Sequence, residues 1–441
     1  MSGTRIAPVL DSQSLGEIES RKREGGAMGR AVVIGLCLVL MFGPLAFGAV
    51  EEWAVLGLQL ASASLFLLWL TKQIIEGKMQ IRTPLAIPIC VFGAVVLSQI
   101  VLHTSAYRYA TVQAGLRYLA FAMLCVVATN ALRDNVDDRN FWMILACFGS
   151  LLSLFAIAQR LTSPGKIYWT FEVHGGSLFG PYVNRNHYAG LMEMLAPLPL
   201  VMCMRRDLEA GQRVVLAFAG ALMCLSILMS QSRGGILALC VQIGFIAAAS
   251  LRARNRRAAT TTLITALAVV CLLVWLGMAG DVARRMGTLG QPLQDSAGAN
   301  RLAIAKDSLP MIAQRPLTGW GLGTFPTVYP RFRTFYTDLF VNQAHNDYLQ
   351  MVVETGMVGL GAMLALLFIT CRIGLRRCRH WQIRQSHALT LAALVGISGI
   401  VVHSLFDFNL QIPANAAFFF VLCGIAVRPS RHEDKLFERA D

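Results

Sequence analysis

The segment 341-VNQAHNDYLQMVVETGMVGL-360 joins a long polar stretch, residues 281–345, to an apolar run. The chain around it is 55% hydrophobic and only 15% charged, which is not the balance of a soluble globular domain. Apolar runs of about 18 to 23 residues recur along its length, and each can cross a hydrocarbon core of ~30 Å. The sequence therefore predicts an all-α polytopic membrane protein, with His345, Asn346 and Asp347 at the mouth of a span.

Twelve spans fit these runs, each bounded by charged residues or by glycine and proline: 31–50, 53–71, 84–102, 110–131, 141–161, 187–204, 213–230, 234–251, 259–279, 347–371, 387–406 and 412–428. With the N-terminus in the cytoplasm, every strongly basic short loop falls on the cytoplasmic side, as the positive-inside rule requires. This topology predicts a cytoplasmic tail at 1–29, a membrane domain at 30–428 and a second cytoplasmic tail at 429–441. The longest outer loop, 281–345, then lies between spans 9 and 10.

The positive charge of the chain has a membrane explanation. The formal net charge is +14, but most lysines and arginines lie in the short inner loops, so no nucleic-acid partner is expected. The first apolar run begins only near Arg30, later than in a cleavable secretory signal, which favours a signal-anchor span.

Cofactor and metal motifs are missing from the sequence. Ten of the eleven cysteines lie in apolar spans and none forms a CxxC pair, so neither a disulfide framework nor a zinc site is indicated. There is no HExxH motif, no outer acidic pair, no P-loop and no GxGxxG fingerprint. We therefore expect no cofactor and no metal, and arginines would have to neutralise any phosphate that binds.

The second part of the long outer loop shows two kinds of pattern. Residues 300-NRLAIAKDSLPMIAQ-314 carry apolar side chains at helical spacing, and Pro310 is predicted to kink or split that helix. The following 315-RPLTGWGLGTFPTVYP-330 is rich in glycine, proline and aromatic residues. It is predicted to be an ordered loop at the membrane interface, where tryptophan and tyrosine are favoured.

Two short motifs place arginines at predicted outer helix ends. In 184-NRNH-187, Arg185 and His187 are flanked by Asn184 and Asn186, which suits a phosphate or sugar clamp but equally an arginine that snorkels from a helix end. In 230-SQSRGG-235, Arg233 lies in a very short turn between two spans. A charge at that depth costs ~2.5–3.5 kcal/mol and usually faces a partner or a cavity, so a functional role is favoured.

Three further groups leave both a functional and a structural reading open. Arg301 lies in the amphipathic segment, and its spacing alone favours a solvated helix face. His345 is suited to proton transfer near neutral pH, whereas Asn346 or Asp347 can equally be a plain helix cap. The turn 403-HSLFDFNLQIPANA-416 gathers polar groups on the same side, which also fits a capped turn.

Taken together, four motifs resemble the O-antigen ligase superfamily, which includes lipid A-core O-antigen ligases, O-antigen polymerases and related bacterial oligosaccharyltransferases. They are NRNH, SQSRGG, RPLTGWGLGTF followed by YP, and AHNDYLQMVVETGMVG, and the resemblance covers about 170 to 425. It implies a C-type glycosyltransferase-like fold and metal-independent, inverting transfer of a glycan from undecaprenyl diphosphate at the periplasmic face of the bacterial inner membrane. The implied acceptor is a hydroxyl of lipid A-core, another glycan or a protein.

The resemblance also assigns roles to residues. Family functional positions correspond to Arg233, Arg301 and His345, and more weakly to Arg185. We assign His345 as the catalytic base, and we assign diphosphate or glycan binding to Arg233, Arg301, Arg185, Asn184, Asn186, His187, Asn346 and Asp347. Two alternatives remain open: a polymerase that extends lipid-linked repeats, and a transporter of polyprenyl-linked glycans, although the sequence shows no repeated halves.

Overall fold

The computed structural model describes residues 12–77, 83–132, 135–173, 176–253, 296–337 and 340–429, and residues 260 and 280 singly. Five helices come first: α1 (Ser12–Leu45), α2 (Glu52–Ile75), α3 (Ala86–Val101), α4 (Arg108–Ala131) and α5 (Asn135–Thr162). A small antiparallel hairpin follows, β1 (Lys166–Ile167) with β2 (Phe171–Glu172). Next come α6 (Arg185–Leu195), α7 (Pro197–Met202), α8 (Ala210–Met229) and α9 (Arg233–Arg252). The last part holds α10 (Ser296–Gln314), α11 (Phe325–Val328), α12 (Asp347–Arg377), α13 (Gln385–His403) and α14 (Pro413–Val427), with 3-10 turns at Tyr329–Arg331, Cys378–His380 and Asn409–Gln411.

The helices confirm the predicted all-α polytopic membrane protein, whereas the C-type glycosyltransferase-like arrangement stays a prediction. Among the described residues, eight helices are long and apolar enough to cross a membrane, and α3 and α14 are shorter apolar helices. The predicted ninth span, 259–279, and loop residues 281–295 lie outside the described residues apart from residue 260. The count of twelve spans, the side of each loop and the two tails therefore stay predictions.

The predicted sixth span is not one continuous helix. It consists of α6 and α7, which meet at Ala196. Pro197 and Pro199 begin α7, and proline has no N–H to donate to the carbonyl four residues earlier. Every residue from 187 to 204 is buried, so neighbouring helices rather than lipid surround this broken segment.

The predicted tenth span is also interrupted. Gly356 breaks α12 with a φ of +67°, in the left-handed region. The backbone groups freed at this break bond to the loop 315–321: Trp320 N–H donates to Val353 O at 3.0 Å, and Met357 N–H donates to Pro316 O at 2.8 Å. A Cβ on Gly356 would collide with the carbonyl of Leu317, so this crossing requires glycine. The predicted ordered loop is therefore built into α12.

α10 runs through Pro310 and continues to Gln314, so the predicted split does not occur, and a kink there stays a prediction. Its end is held from outside, because Met311 is fully buried and the Trp320 indole N–H donates to Met311 O at 2.9 Å. The buried Asp307 carboxylate accepts from the Tyr329 hydroxyl at 2.9 Å and from Thr334 N–H at 3.1 Å. These contacts join α10 and the loop into one layer with its own small apolar core.

The centre of the bundle is formed by α13 and α14. Every residue of α14 is buried, which suits a helix that is apolar on all faces. It packs against α4 and α13, and α13 packs against α6, α7 and α9. A buried ion pair between Arg428 and Asp138 joins the end of α14 to α5. These central helices fix where the ends of α6, α9 and α13 lie.

Candidate functional site

A cavity of about 540 Å³ opens where α6, α9 and α12 begin. We call it the arginine cavity. Its polar lining comes from five separate parts of the chain and comprises Ser177, Asn184, Arg185, Asn186, Gln231, Arg233, Asn300, Arg301, Thr337, His345, His403 and Asp407. Its apolar rim includes Ile304, Phe335, Phe340, Val341 and Phe406. The structure thus brings the three predicted arginines and His345 around one space.

Two of the arginines are the first residues of helices. Arg185 begins α6 behind the N-cap Asn184, whose side-chain oxygen accepts from Asn186 N–H at 2.9 Å. Arg233 begins α9 behind the N-cap Ser232, whose hydroxyl accepts from Gly235 N–H at 3.2 Å. A helix N-terminus carries partial positive charge and favours anions. Both arginines and both helix N-termini therefore favour the binding of an anion.

The glycine pair after Arg233 allows α9 to pack closely. A Cβ on Gly234 would lie 2.5 Å from Cδ2 of His403, and a Cβ on Gly235 would lie 2.8 Å from the Cβ of Ala189. No side chain fits at either contact without a shift. The two glycines therefore set how near Arg233 comes to α6 and α13.

Arg301 reaches the cavity from α10. One guanidinium nitrogen donates to Phe406 O at 2.9 Å, and the other donates to Asp407 Oδ2 at 3.1 Å. This fork fixes the planar guanidinium at two points. Arg301 is consequently held at the cavity wall by the turn after α13, which the reading as a solvated face residue did not predict.

Asp407 is the polar centre of the site. Its side chain is 1% exposed and accepts hydrogen bonds from the Asn186 amide, from Arg301 and from Phe408 N–H at 2.9 Å. Its Oδ1 also lies 3.4 Å from His345 Nδ1. Burial alone raises the pKa of this carboxyl, but the hydrogen bond from His345 and the charge of Arg301 outweigh it and hold the pKa well below its usual range. Asp407 therefore stays an anion over the whole physiological pH range.

His345 has a constrained position. Its φ of +52° places a non-glycine residue in the left-handed region, where strain of ~1–3 kcal/mol is often found at functional sites. The ring packs edge-on against Phe408, with centroids 4.9 Å apart. Because Nδ1 faces Asp407, Nε2 is the nitrogen left for a ligand in the cavity.

Three predicted binding residues do not line the cavity. His187 is buried, packs edge-on against Phe408 at 4.7 Å and lies 3.4 Å from the Asn184 amide. Asn346 caps α12 by accepting from Leu349 N–H at 2.9 Å, so its plain capping role is the observed one. Asp347 is buried, and its carboxylate accepts from Ser404 and from Leu410 N–H. All three support the site from behind.

Two acidic residues of the site were not among the predicted site residues. Asp407 belongs to the turn 403–416, whose polar groups the sequence left undecided. Glu193 lies inside a predicted span and pairs with His403, whose Nδ1 is 2.7 Å from Glu193 Oε1. A carboxylate within an apolar run is costly and marks such positions for attention. Over the described residues, no group of three or more His, Cys, Asp or Glu side chains could hold a metal ion.

One comparison with known proteins identifies a related family. Residues 218–364, about a third of the chain, match a family model described as O-Antigen ligase. The match includes Arg233, Arg301 and His345, and it confirms the resemblance that the four motifs indicate. A search of curated proteins found no match.

Proposed function

We propose that this chain, a relative of the O-antigen ligases through residues 218–364, transfers a glycan from undecaprenyl diphosphate to an acceptor hydroxyl. The reaction takes place at the periplasmic face of the bacterial inner membrane, with both termini in the cytoplasm. The observation that carries this proposal is the arginine cavity, which gathers Arg185, Arg233, Arg301 and His345. The family match supports a membrane glycosyltransferase of the ligase or polymerase type in general; the donor, the acceptor and the mechanism below are our proposal.

Arg185 and Arg233 bind the diphosphate of the donor. When the bond between the anomeric carbon and the diphosphate oxygen breaks, its electron pair moves onto the diphosphate, so negative charge grows on the phosphoryl oxygens. Guanidinium groups and helix N-termini fixed in advance around that position stabilise the charge without having to reorganise. The charge of Arg301 is already neutralised in part by Asp407. Arg301 therefore acts mainly by orienting the diphosphate with one further N–H donor.

His345 is the base that accepts the proton of the acceptor hydroxyl. Asp407 engages Nδ1 and thereby directs Nε2 into the cavity. The acceptor oxygen attacks the anomeric carbon, the new C–O bond forms as the bond to the diphosphate breaks, and the hydroxyl proton moves to Nε2. This single displacement inverts the anomeric configuration. General base catalysis of this kind contributes roughly 10²- to 10⁴-fold to rate.

The test is transfer in proteoliposomes that contain the purified protein, an undecaprenyl-diphosphate-linked glycan and lipid A-core, with EDTA present throughout. We expect glycan on lipid A-core with inverted anomeric configuration, and loss of transfer by His345→Ala. His380→Ala is the matched control, because His380 is exposed and does not line the cavity. This variant should transfer normally.

The products separate the alternatives. Longer chains on undecaprenyl diphosphate would identify a polymerase. Movement of the lipid-linked glycan across the bilayer without a new glycosidic bond would identify a transporter and refute the proposed reaction. Dependence on a divalent cation would refute the role given to the arginines.

A further inference from the structure

Glu193 and His403 form a second polar pair directly behind the arginine cavity. Glu193 lies on α6 and His403 ends α13. Their side chains are 0% and 1% exposed, and His403 Nδ1 lies 2.7 Å from Glu193 Oε1. The mechanism proposed above uses neither residue, yet His403 belongs to the cavity wall.

The pair faces the first turn of α9. Gly234 lies so close to the imidazole that an added Cβ would be 2.6 Å from Nε2 of His403. Because Glu193 occupies Nδ1, the free Nε2 edge of the ring is directed to the turn that carries Arg233. This is the turn at which the proposed diphosphate subsite lies.

Other charged groups surround the imidazole. Asp407 follows His403 closely and donates its N–H to His403 O at 3.1 Å. Asp407 in turn contacts Arg301 and His345, and Arg233 directly precedes Gly234 in the chain. His403 therefore pairs with the Glu193 carboxylate and lies in the wall of a cavity that holds Arg185, Arg233, Arg301 and Asp407.

A purely structural role does not explain this pair. A buried ion pair often contributes no more stability than apolar side chains of similar size would. Glu193 Oε2 is buried without a hydrogen-bond partner in the described part of the chain. Moreover, Gln242 already joins the same three helices, since its amide on α9 donates to Glu193 O at 2.6 Å and to Val395 O at 3.1 Å.

We propose that His403 is an additional binding residue for the donor diphosphate, whose Nε2–H donates a hydrogen bond to a phosphoryl oxygen at the first turn of α9, and that Glu193 is its positioning residue. This proposal rests on the proposed function of the arginine cavity. The Glu193 carboxylate accepts a hydrogen bond from Nδ1–H, which fixes the ring. With Nδ1 protonated, Nε2 can donate to a phosphoryl oxygen only if the ring carries both protons, and the negative charge of Glu193 stabilises that cationic form. The ligand class is therefore a phosphoryl anion attached to a lipid chain.

Binding of farnesyl diphosphate to the detergent-purified full chain tests the proposal, with farnesol as the uncharged comparison. His403→Gln should weaken farnesyl diphosphate binding by about tenfold or more, because a hydrogen bond between charged groups is lost, and should leave farnesol binding unchanged. Glu193→Gln keeps the shape but removes the charge, so it should weaken the same interaction in the same direction. His387→Gln, near the other end of α13, is the matched control and should bind like the unaltered chain.

Arg233→Gln separates this proposal from the function on which it rests. If Arg233→Gln weakens farnesyl diphosphate binding but His403→Gln does not, the role of His403 is refuted and the arginine cavity stands. If neither substitution affects binding, the diphosphate subsite itself is refuted. Equal loss of farnesol and farnesyl diphosphate binding in His403→Gln would show a structural role and would also refute the proposal.

Discussion

Replacing Asp407 by asparagine is the sharpest single perturbation of the site. The substitution keeps the size of the side chain but turns one acceptor oxygen into an NH2 donor and removes the negative charge. The unaltered carboxylate is 1% exposed and serves Asn186, Arg301 and His345 at once. An asparagine cannot accept from all three, and it leaves the His345 ring without a charged partner.

The size of the effect follows from these bonds. A hydrogen bond to a charged group contributes about 1.5–3 kcal/mol, and each 1.36 kcal/mol in the barrier changes a rate about tenfold. If Asp407 orients His345, kcat for transfer should therefore fall roughly 10- to 150-fold. The donor KM should not rise, because Arg301 loses the anion that partly neutralises it and keeps its attraction for phosphate.

The assay is steady-state transfer in proteoliposomes with the donor concentration varied at a fixed, saturating acceptor concentration. Asp207→Asn is the matched control, because Asp207 also pairs with an arginine, Arg205, but its side chain is 49% exposed and does not line the cavity. The control should keep both kcat and KM. Thermal unfolding of both variants shows whether the assay temperature lies below the transition.

A kcat for Asp407→Asn within about twofold of the unaltered chain would refute the orienting role, since less than ~0.5 kcal/mol would then separate the barriers. A large rise in donor KM with unchanged kcat would also contradict it. That result would mean that Asp407 acts in ground-state binding and not on the base.

Three more predictions follow from local geometry. Arg301→Lys should lower transfer by about tenfold, because an ammonium cannot reproduce the fork to the Phe406 carbonyl and Asp407, whereas Arg331→Lys, at an exposed position, should not. Gly356→Ala should lower the unfolding temperature by a few degrees or more, because its φ is +67° and the loop carbonyl leaves no room, whereas Gly361→Ala, in open space on the same helix, should not. The pKa of Asp407 is depressed in the folded chain, so its contribution to stability is present above the unfolded value of about 3.9 and is lost as pH falls below that value. The loss of thermal stability caused by Asp407→Asn should therefore shrink below about pH 4.

The sequence was most informative where a residue type conflicts with its surroundings. Arg233 stands out because an arginine between two apolar runs is costly unless it has a purpose, and the structure places it in the cavity wall. His345 stands out because it ends a polar segment at a helix start. For both, the conflict is visible within a few residues of the chain.

The parts that sequence reasoning could not supply depend on distant partners. Asp407 looks like an ordinary turn residue, because its partners Asn186, Arg301 and His345 come from three other places in the chain. Gly356 resembles any glycine in an apolar helix, since the loop that occupies its open side precedes it by more than thirty residues. Local periodicity carries no information about either contact.

The break in α12 and the placement of Arg301 are physically linked. The break exposes the carbonyls of Val353 and Glu354, which accept from Trp320 and Gly321 N–H at 3.0 and 2.9 Å. Those bonds fix the loop, and Trp320 in turn holds the end of α10. Because α10 carries Arg301, a disturbance at the break should displace Arg301 through these backbone bonds and the bond from the Trp320 indole to Met311 O. Gly356→Ala should therefore reduce transfer even at temperatures where the chain remains folded. Replacing Arg185 should lower the transfer rate by the same factor in the Gly356→Ala chain as in the unaltered chain.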